Sequence, residues 1–378
     1  MVCLGLVFDY ARDKLSRGLP CARVRWRNNG GMQVASLYAK ICQLPLTVES
    51  VAYEGKQMET GSGWMRSTTT VVLHGAGCVG RGEDVTYSNE EQQSFLDASP
   101  EMPLAKYTDF EAYSRSLDAL DAHLFATPPA QASARLYRRW AFESAGLDLA
   151  LRQANTNLAE LLAMPYRPMR FVASTGLGNP PSTAPLQEKL VASPNLEFKI
   201  DYSEGFADDF LQRLSAFKIA CIDFKGHYHG EFSGAPVDVE RYAAVAKAFP
   251  DAILEDPGFT GLPALNADVH RLSWDYPVKA LADLIQLPKT AWLNIKPSRF
   301  GLLSELLRTL EYAQAQGLQL YGGGQFELGV GRTQAQQLAA LFYPDGPNDL
   351  APADFNMLKL LELLPSSPLT VTDGIGFG

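Results

Sequence analysis

The chain has 378 residues, a formal net charge of −9, 46% hydrophobic and 20% charged residues. That length gives one or two domains with ample core, and the acidic balance argues against nucleic-acid or anionic-membrane partners. No apolar run approaches the roughly 20 residues of a membrane helix. Cys3, Cys21, Cys42, Cys78 and Cys221 form no Cys-x-x-Cys pair, and an odd, scattered set predicts reduced thiols and a cytoplasmic setting.

Residues 1–31 read as a poorly packed extension, or as the product of an upstream start with Met32 the true beginning. Asp9 interrupts the apolar Leu4–Phe8 run too early for a secretory core. From Tyr38 to Tyr87 the pattern is β-rich, with a β-branched run at Thr68–Leu73. A Gly- and Ser-containing loop is expected between Glu54 and Met65. The glycines of Gly77–Glu83 have a nucleotide-loop density, but no βαβ pattern follows, so a phosphate cradle is not expected. Residues 89–163 read as helices broken at Pro128 and Pro129. Together, 32–165 form an expected α+β cap, and Met164–Pro168 a linker.

Five short apolar runs then end on Lys199, Asp223, Glu255, Asp275 and Lys296, about 20 to 32 residues apart. That is the rhythm of strand–helix units feeding a parallel sheet. In a (β/α)8 TIM barrel, spanning 166–350 here, the strand C-termini meet on one face. Three carboxylates converging there repel one another unless a cation sits between them, and hard oxygen ligands suit Mg2+. Alternation places Glu197 beside Lys199, Lys225 beside Asp223 and Asn294 beside Lys296. Asp256 is expected to face away from Glu255. His227 and His229 are a possible transition-metal pair but lack a third ligand, so they read as loop residues. Met169–Ala173 is the expected first strand, Leu318–Gly324 the seventh, and Asn348-Asp349 the end of the eighth. Residues 351–378 are expected to pack back on the cap.

The order Lys, Asp, Glu, Asp, Lys resembles the enolase superfamily in its mandelate racemase and muconate-lactonising branch. So do the segments Leu254-Glu255-Asp256-Pro257, Asn294-Ile295-Lys296-Pro297, Gly324–Gly329 and Arg139–Ala150. The resemblance implies a barrel with an N-terminal cap whose loop covers the mouth. It implies Asp223, Glu255 and Asp275 as Mg2+ ligands, Lys199 and Lys296 as acid and base, and Glu327 as an orienting acid. It further implies proton abstraction next to the carboxylate of a small substrate, in a racemase or epimerase, cycloisomerase or dehydratase, dipeptide epimerase- or o-succinylbenzoate synthase-like, and a homo-oligomer. The sequence departs from the family at Glu197, where a lysine is usual, and at Lys225. Lys225 leaves three roles open: neutralising excess carboxylate, contacting an acidic substrate with Asn294, or displacing the metal. Two other classes stay open: a non-catalytic scaffold, and a metal-free aldolase with a Schiff base on Lys296.

Overall fold

The computed structural model describes residues 36–61, 63–120, 124–125, 127–228, 233–357, 359–360 and 363–378. The N-terminal extension, Met32 and His229 lie outside them.

The cap is built on an antiparallel meander of β2 (Ser50–Glu59), β3 (Met65–Gly75) and β4 (Cys78–Asp84), with β1 (Leu46–Val48) paired to β5 (Ala105–Tyr107) beside it. The expected loop between Glu54 and Met65 is shorter than the composition suggested. Residues 54–59 pair with 65–70, which leaves only positions 60–64 between the paired stretches. The residues there are fastened to the C-terminal segment: Thr60 bridges Met357, and Gly61 N donates to Asn356 O at 3.0 Å.

The glycines at 80 and 82 have a packing cause. Helix Ala134–Gln153 lies across β4, and a β-carbon on Gly82 would stand 2.0 Å from Ala141 O. This is close backbone approach, which only glycine permits. The helix is buried from Tyr137 to Leu151, and its charges are matched inside, Arg138 to Asp84 at 2.7 Å and Arg139 to Glu143 at 3.1 Å.

The second half is a curled parallel sheet, in spatial order β12 (Gln319–Gly322), β11 (Trp292–Ile295), β10 (Leu272–Trp274), β9 (Ile253–Glu255), β8 (Ile219–Asp223), β7 (Phe198–Asp201), β6 (Ala173–Ser174). Helices and 3-10 turns separate the strands, as the spacing predicted. The eighth position is held by single bridges instead of a ladder: Asn348 pairs Phe171 and Asp349 pairs Gly323. Asn348 supplies what the short pairing lacks. Its Oδ1 accepts Gly322 N at 2.6 Å, and its Nδ2 donates to the Arg170, Gly346 and Tyr343 carbonyls. The β7 strand runs two residues past Lys199, the expected end, and a register shift lies between Phe198 and Lys199. Glu197 sits before that shift and pairs with Arg170, both oxygens engaged at 2.7 and 2.8 Å.

The C-terminal stretch returns to the cap helix, where Phe377 N donates to Asp148 Oδ1 at 2.8 Å. Among the described residues no helix is long and apolar enough to cross a membrane.

Candidate active site

The site grows from strand ends. Asp223 closes β8, Glu255 closes β9, and Asp275 follows β10. Parallel strands deliver all three to one rim. One oxygen of each lies within 4.8 Å of the others, and all three residues are buried.

Each carboxylate is held differently. Asp223 Oδ1 accepts the Lys225 amide at 2.9 Å, and its Oδ2 lies 3.5 Å from Lys199 Nζ. Glu255 Oε1 receives Lys199, while its Oε2 receives Tyr321 Oη, Asn294 Nδ2 at 3.2 Å and Cys221 Sγ at 3.3 Å. Asp275 Oδ2 accepts Lys296 Nζ at 2.8 Å and Tyr228 Oη at 3.1 Å, and its Oδ1 receives the buried Arg299 guanidinium.

Asp256 faces the other way, as expected. Its two oxygens accept the amides of Asp275 at 2.8 Å and Tyr276 at 2.7 Å. It does so from a left-handed backbone, φ 47°, a conformation that stores strain in a non-glycine residue. Asp256 thereby orients the Asp275 main chain instead of offering a ligand.

Burial pushes Asp223 up to about 7, and the neighbouring Glu255 charge adds to it. Burial also raises Asp275, but Arg299 and then Lys296 outweigh it and hold that carboxyl below its ordinary range. For Lys199, burial favours the neutral amine, yet Glu255 and Asp223 together raise it well above the usual lysine value. Lys296 is likewise raised, Asp275 outweighing burial. Both lysines are therefore ammonium groups in this arrangement. The donor set of the three acids, carboxylate oxygen throughout, fits a hard divalent cation.

Two of the expected site residues, Lys225 and Glu327, are turned elsewhere. Lys225 does not enter the carboxylate cluster. Its φ of 50° swings it out of strand alternation, and its Nζ pairs with Asp201 at 2.6 Å. Glu327 does not reach either lysine; it pairs with Arg332 at 3.0 Å and accepts Gln325 N at 2.7 Å. Asn294 holds Glu255, as described. His227, for its part, is a loop residue, its Nε2 3.1 Å from Pro257 O and its ring against Phe259 and Trp274.

Five further residues belong to the site: Cys221, Tyr228, Arg299, Tyr321 and Asp349. Asp349 lies within the field of Lys199 and Lys296, which lower its carboxyl against the larger upward push of burial. Cys221 stands two residues before Asp223, and Tyr321 two before Gly323. Period-two alternation from those neighbours was the available signal for both.

Two family models match the chain, the N-terminal domain of unknown function DUF8230 over residues 39–161 and its C-terminal domain over 165–357. The chain belongs to the DUF8230 family. Its fold is that of the enolase superfamily. The Mg-complexed dipeptide epimerase of Methylococcus capsulatus matches this DUF8230 member with a TM-score of 0.67 and 20% identity, over 88% of this chain and 99% of that one. Muconate lactonizing enzyme from Pseudomonas fluorescens, complexed with muconolactone, matches with a TM-score of 0.65 and 19% identity, over 88% and 96%. An N-succinylamino acid racemase of Amycolatopsis sp. is 34% identical over 103 residues, 26% of this chain. The chain thus spans about 28% of the length of that curated relative.

Proposed function

We propose that this DUF8230 protein is an enzyme that removes a proton next to the carboxylate of a small substrate, using Mg2+ held by Asp223, Glu255 and Asp275. The observation that carries the reading is the convergence of three buried carboxylates between two buried lysines. When bound, the cation supplies positive charge for the enediolate that forms on proton loss.

The chain's own groups do the rest. Lys199 on β7 and Lys296 after β11 are four strands apart in an eight-position barrel, so they approach a central substrate from opposite sides. One takes the proton in its neutral form. The other returns it, protonates a leaving group, or stays cationic beside the developing charge. Lowering the negative charge at Asp223 and Glu255 frees Lys199 to lose its proton, since those acids are what raise it. Arg299 and Asp256 fix Asp275 from its side-chain and main-chain ends. In this reading residues 32–165 are the cap, 166–350 the catalytic barrel and 351–378 a return to the cap. Racemase, epimerase and cycloisomerase are the reaction types in the names of the similar proteins.

The test is calorimetric Mg2+ titration of wild type and Glu255→Gln, followed by a screen of carboxylates for deuterium uptake from D2O. Saturable binding, lost in the variant, together with deuterium uptake supports the reading. A second reading, a non-catalytic scaffold, is favoured by Asp275, both of whose oxygens are already engaged by the chain's own cations. It predicts no Mg2+ heat in wild type.

A further inference from the structure

Beneath the carboxylate rim lies a second inward layer, Cys221, Ile253 and Tyr321, with Ser273 and Asn294 alongside. Each stands two residues before a rim position, as strand alternation requires. In a hydrophobic barrel core this layer is unexpectedly polar, and its hydrogen bonds converge on one atom. Glu255 Oε2 accepts from Tyr321 Oη, from Asn294 Nδ2 at 3.2 Å and from the Cys221 thiol at 3.3 Å. Glu255 and Tyr321 are both fully buried. A phenol has one proton to give. The phenol oxygen also lies 3.0 Å from Ser273 Oγ, which helps fix its direction.

From this we infer that Tyr321 is a positioning residue that makes Glu255 a one-oxygen ligand and thereby selects Mg2+ over Ca2+. The inference rests on the metal reading proposed above. With Oε2 claimed by three protein donors, Oε1, which Lys199 holds here, is the oxygen a cation would take in place of that ammonium. Mg2+ asks for six ligands in tight octahedral geometry, whereas Ca2+ takes larger coordination numbers and bidentate carboxylates. A carboxylate whose second oxygen is tied down from below suits the first ion and resists the second. The donors around a ligand are commonly worth 10- to 100-fold in metal affinity.

The experiment is calorimetric titration of the full chain with Mg2+ and separately with Ca2+, in wild type, Tyr321→Phe and Cys221→Ala. The expected result is a wild type that prefers Mg2+ and a Tyr321→Phe variant whose preference falls about tenfold, with Cys221→Ala moving the same way by less. Loss of both affinities by one common factor would mean a merely structural tyrosine and would overturn the inference. So would an unchanged preference. If wild type binds no Mg2+, the metal reading itself fails and this inference with it; wild-type binding with unaltered selectivity in the variant sinks the Tyr321 role alone. Should Tyr321→Phe not fold, Cys221→Ala decides by the same criterion, because it removes a donor to the same oxygen.

Discussion

Gly323 lies against Lys296: a β-carbon built there would stand 2.5 Å from Lys296 Cε and 2.6 Å from Asn294 Oδ1. The backbone at 323 is outside the left-handed region, so the demand is for space and not for conformation. Gly323→Ala should push the flexible lysine aside at little cost to the fold. Under the proposed reaction, deuterium exchange by the variant should fall about 100-fold, the scale expected when a reacting group is misplaced by about 1 Å. Full exchange activity in Gly323→Ala would remove Lys296 from the chemistry.

Asp256 offers a stability test that leaves the three clustered carboxylates untouched. Asp256→Asn keeps a residue that tolerates positive φ but has only one oxygen for two amides. It should lose about 1–3 kcal/mol in denaturant titration, the usual cost of an unsatisfied buried group. Asp256→Ala should lose more, since alanine has no acceptor and is strained at φ 47°. Equal stability of Asp256→Ala and wild type would mean the two amide contacts contribute nothing.

Arg66 joins the cap to the loop after β12. It is fully buried and donates to the Thr86 carbonyl at 2.8 Å, Val85 at 2.7 Å, Gln325 at 3.0 Å and Phe326 at 3.1 Å. Arg66→Met keeps much of the volume but leaves four carbonyls short of a donor. A loss of about 3 kcal/mol or more is expected in chemical denaturation, together with faster amide exchange at Gln325 and Phe326. Unchanged exchange there would show that the loop holds itself.

Lys189 gives a pH signature outside the carboxylate cluster. Its Nζ reaches Ser174 O at 3.2 Å and Thr175 Oγ1 at 3.1 Å, capping the strand edge where the eighth position is thin. Burial lowers it to about 8 from the ordinary 10.5. Between those values the unfolded chain holds a proton that the folded chain does not. The stability contribution of this lysine therefore rises with pH from about 8 toward 10.5. Wild type minus Lys189→Met stability, followed by denaturation from pH 7 to 10, should increase with pH. A flat difference would mean the amine is solvated.

The parts of the site that follow strand period were legible in the residues. Asp223, Glu255 and Asp275 converge because parallel strands at regular spacing must bring their ends to one rim. What was not legible came from local breaks in that period. The left-handed backbone at Lys225 carries its side chain to Asp201, and alternation alone cannot anticipate a sign change in φ. Glu327 was drawn away by Arg332, five residues on, a contact that depends on how the loop folds. Arg299 has no period to read, because helix Pro297–Phe300, which aims it inward, is only one turn long. The eighth position was legible as a place, Asn348-Asp349, but not in its form, two bridges and an asparagine in place of a ladder.

Glu83 carries a consequence for how this chain can change over time. From the end of β4 it accepts the amides of Leu328, Gly329 and Gly331 at 2.7 to 3.0 Å. It caps helix Val330–Phe342, whose own N-cap, Gly329, has no side chain to do so. A helix of the second half thus starts on an acid supplied by the first. Exchanging either half for a homologue's copy should therefore cost stability unless the incoming piece carries the matching acid or a replacement cap.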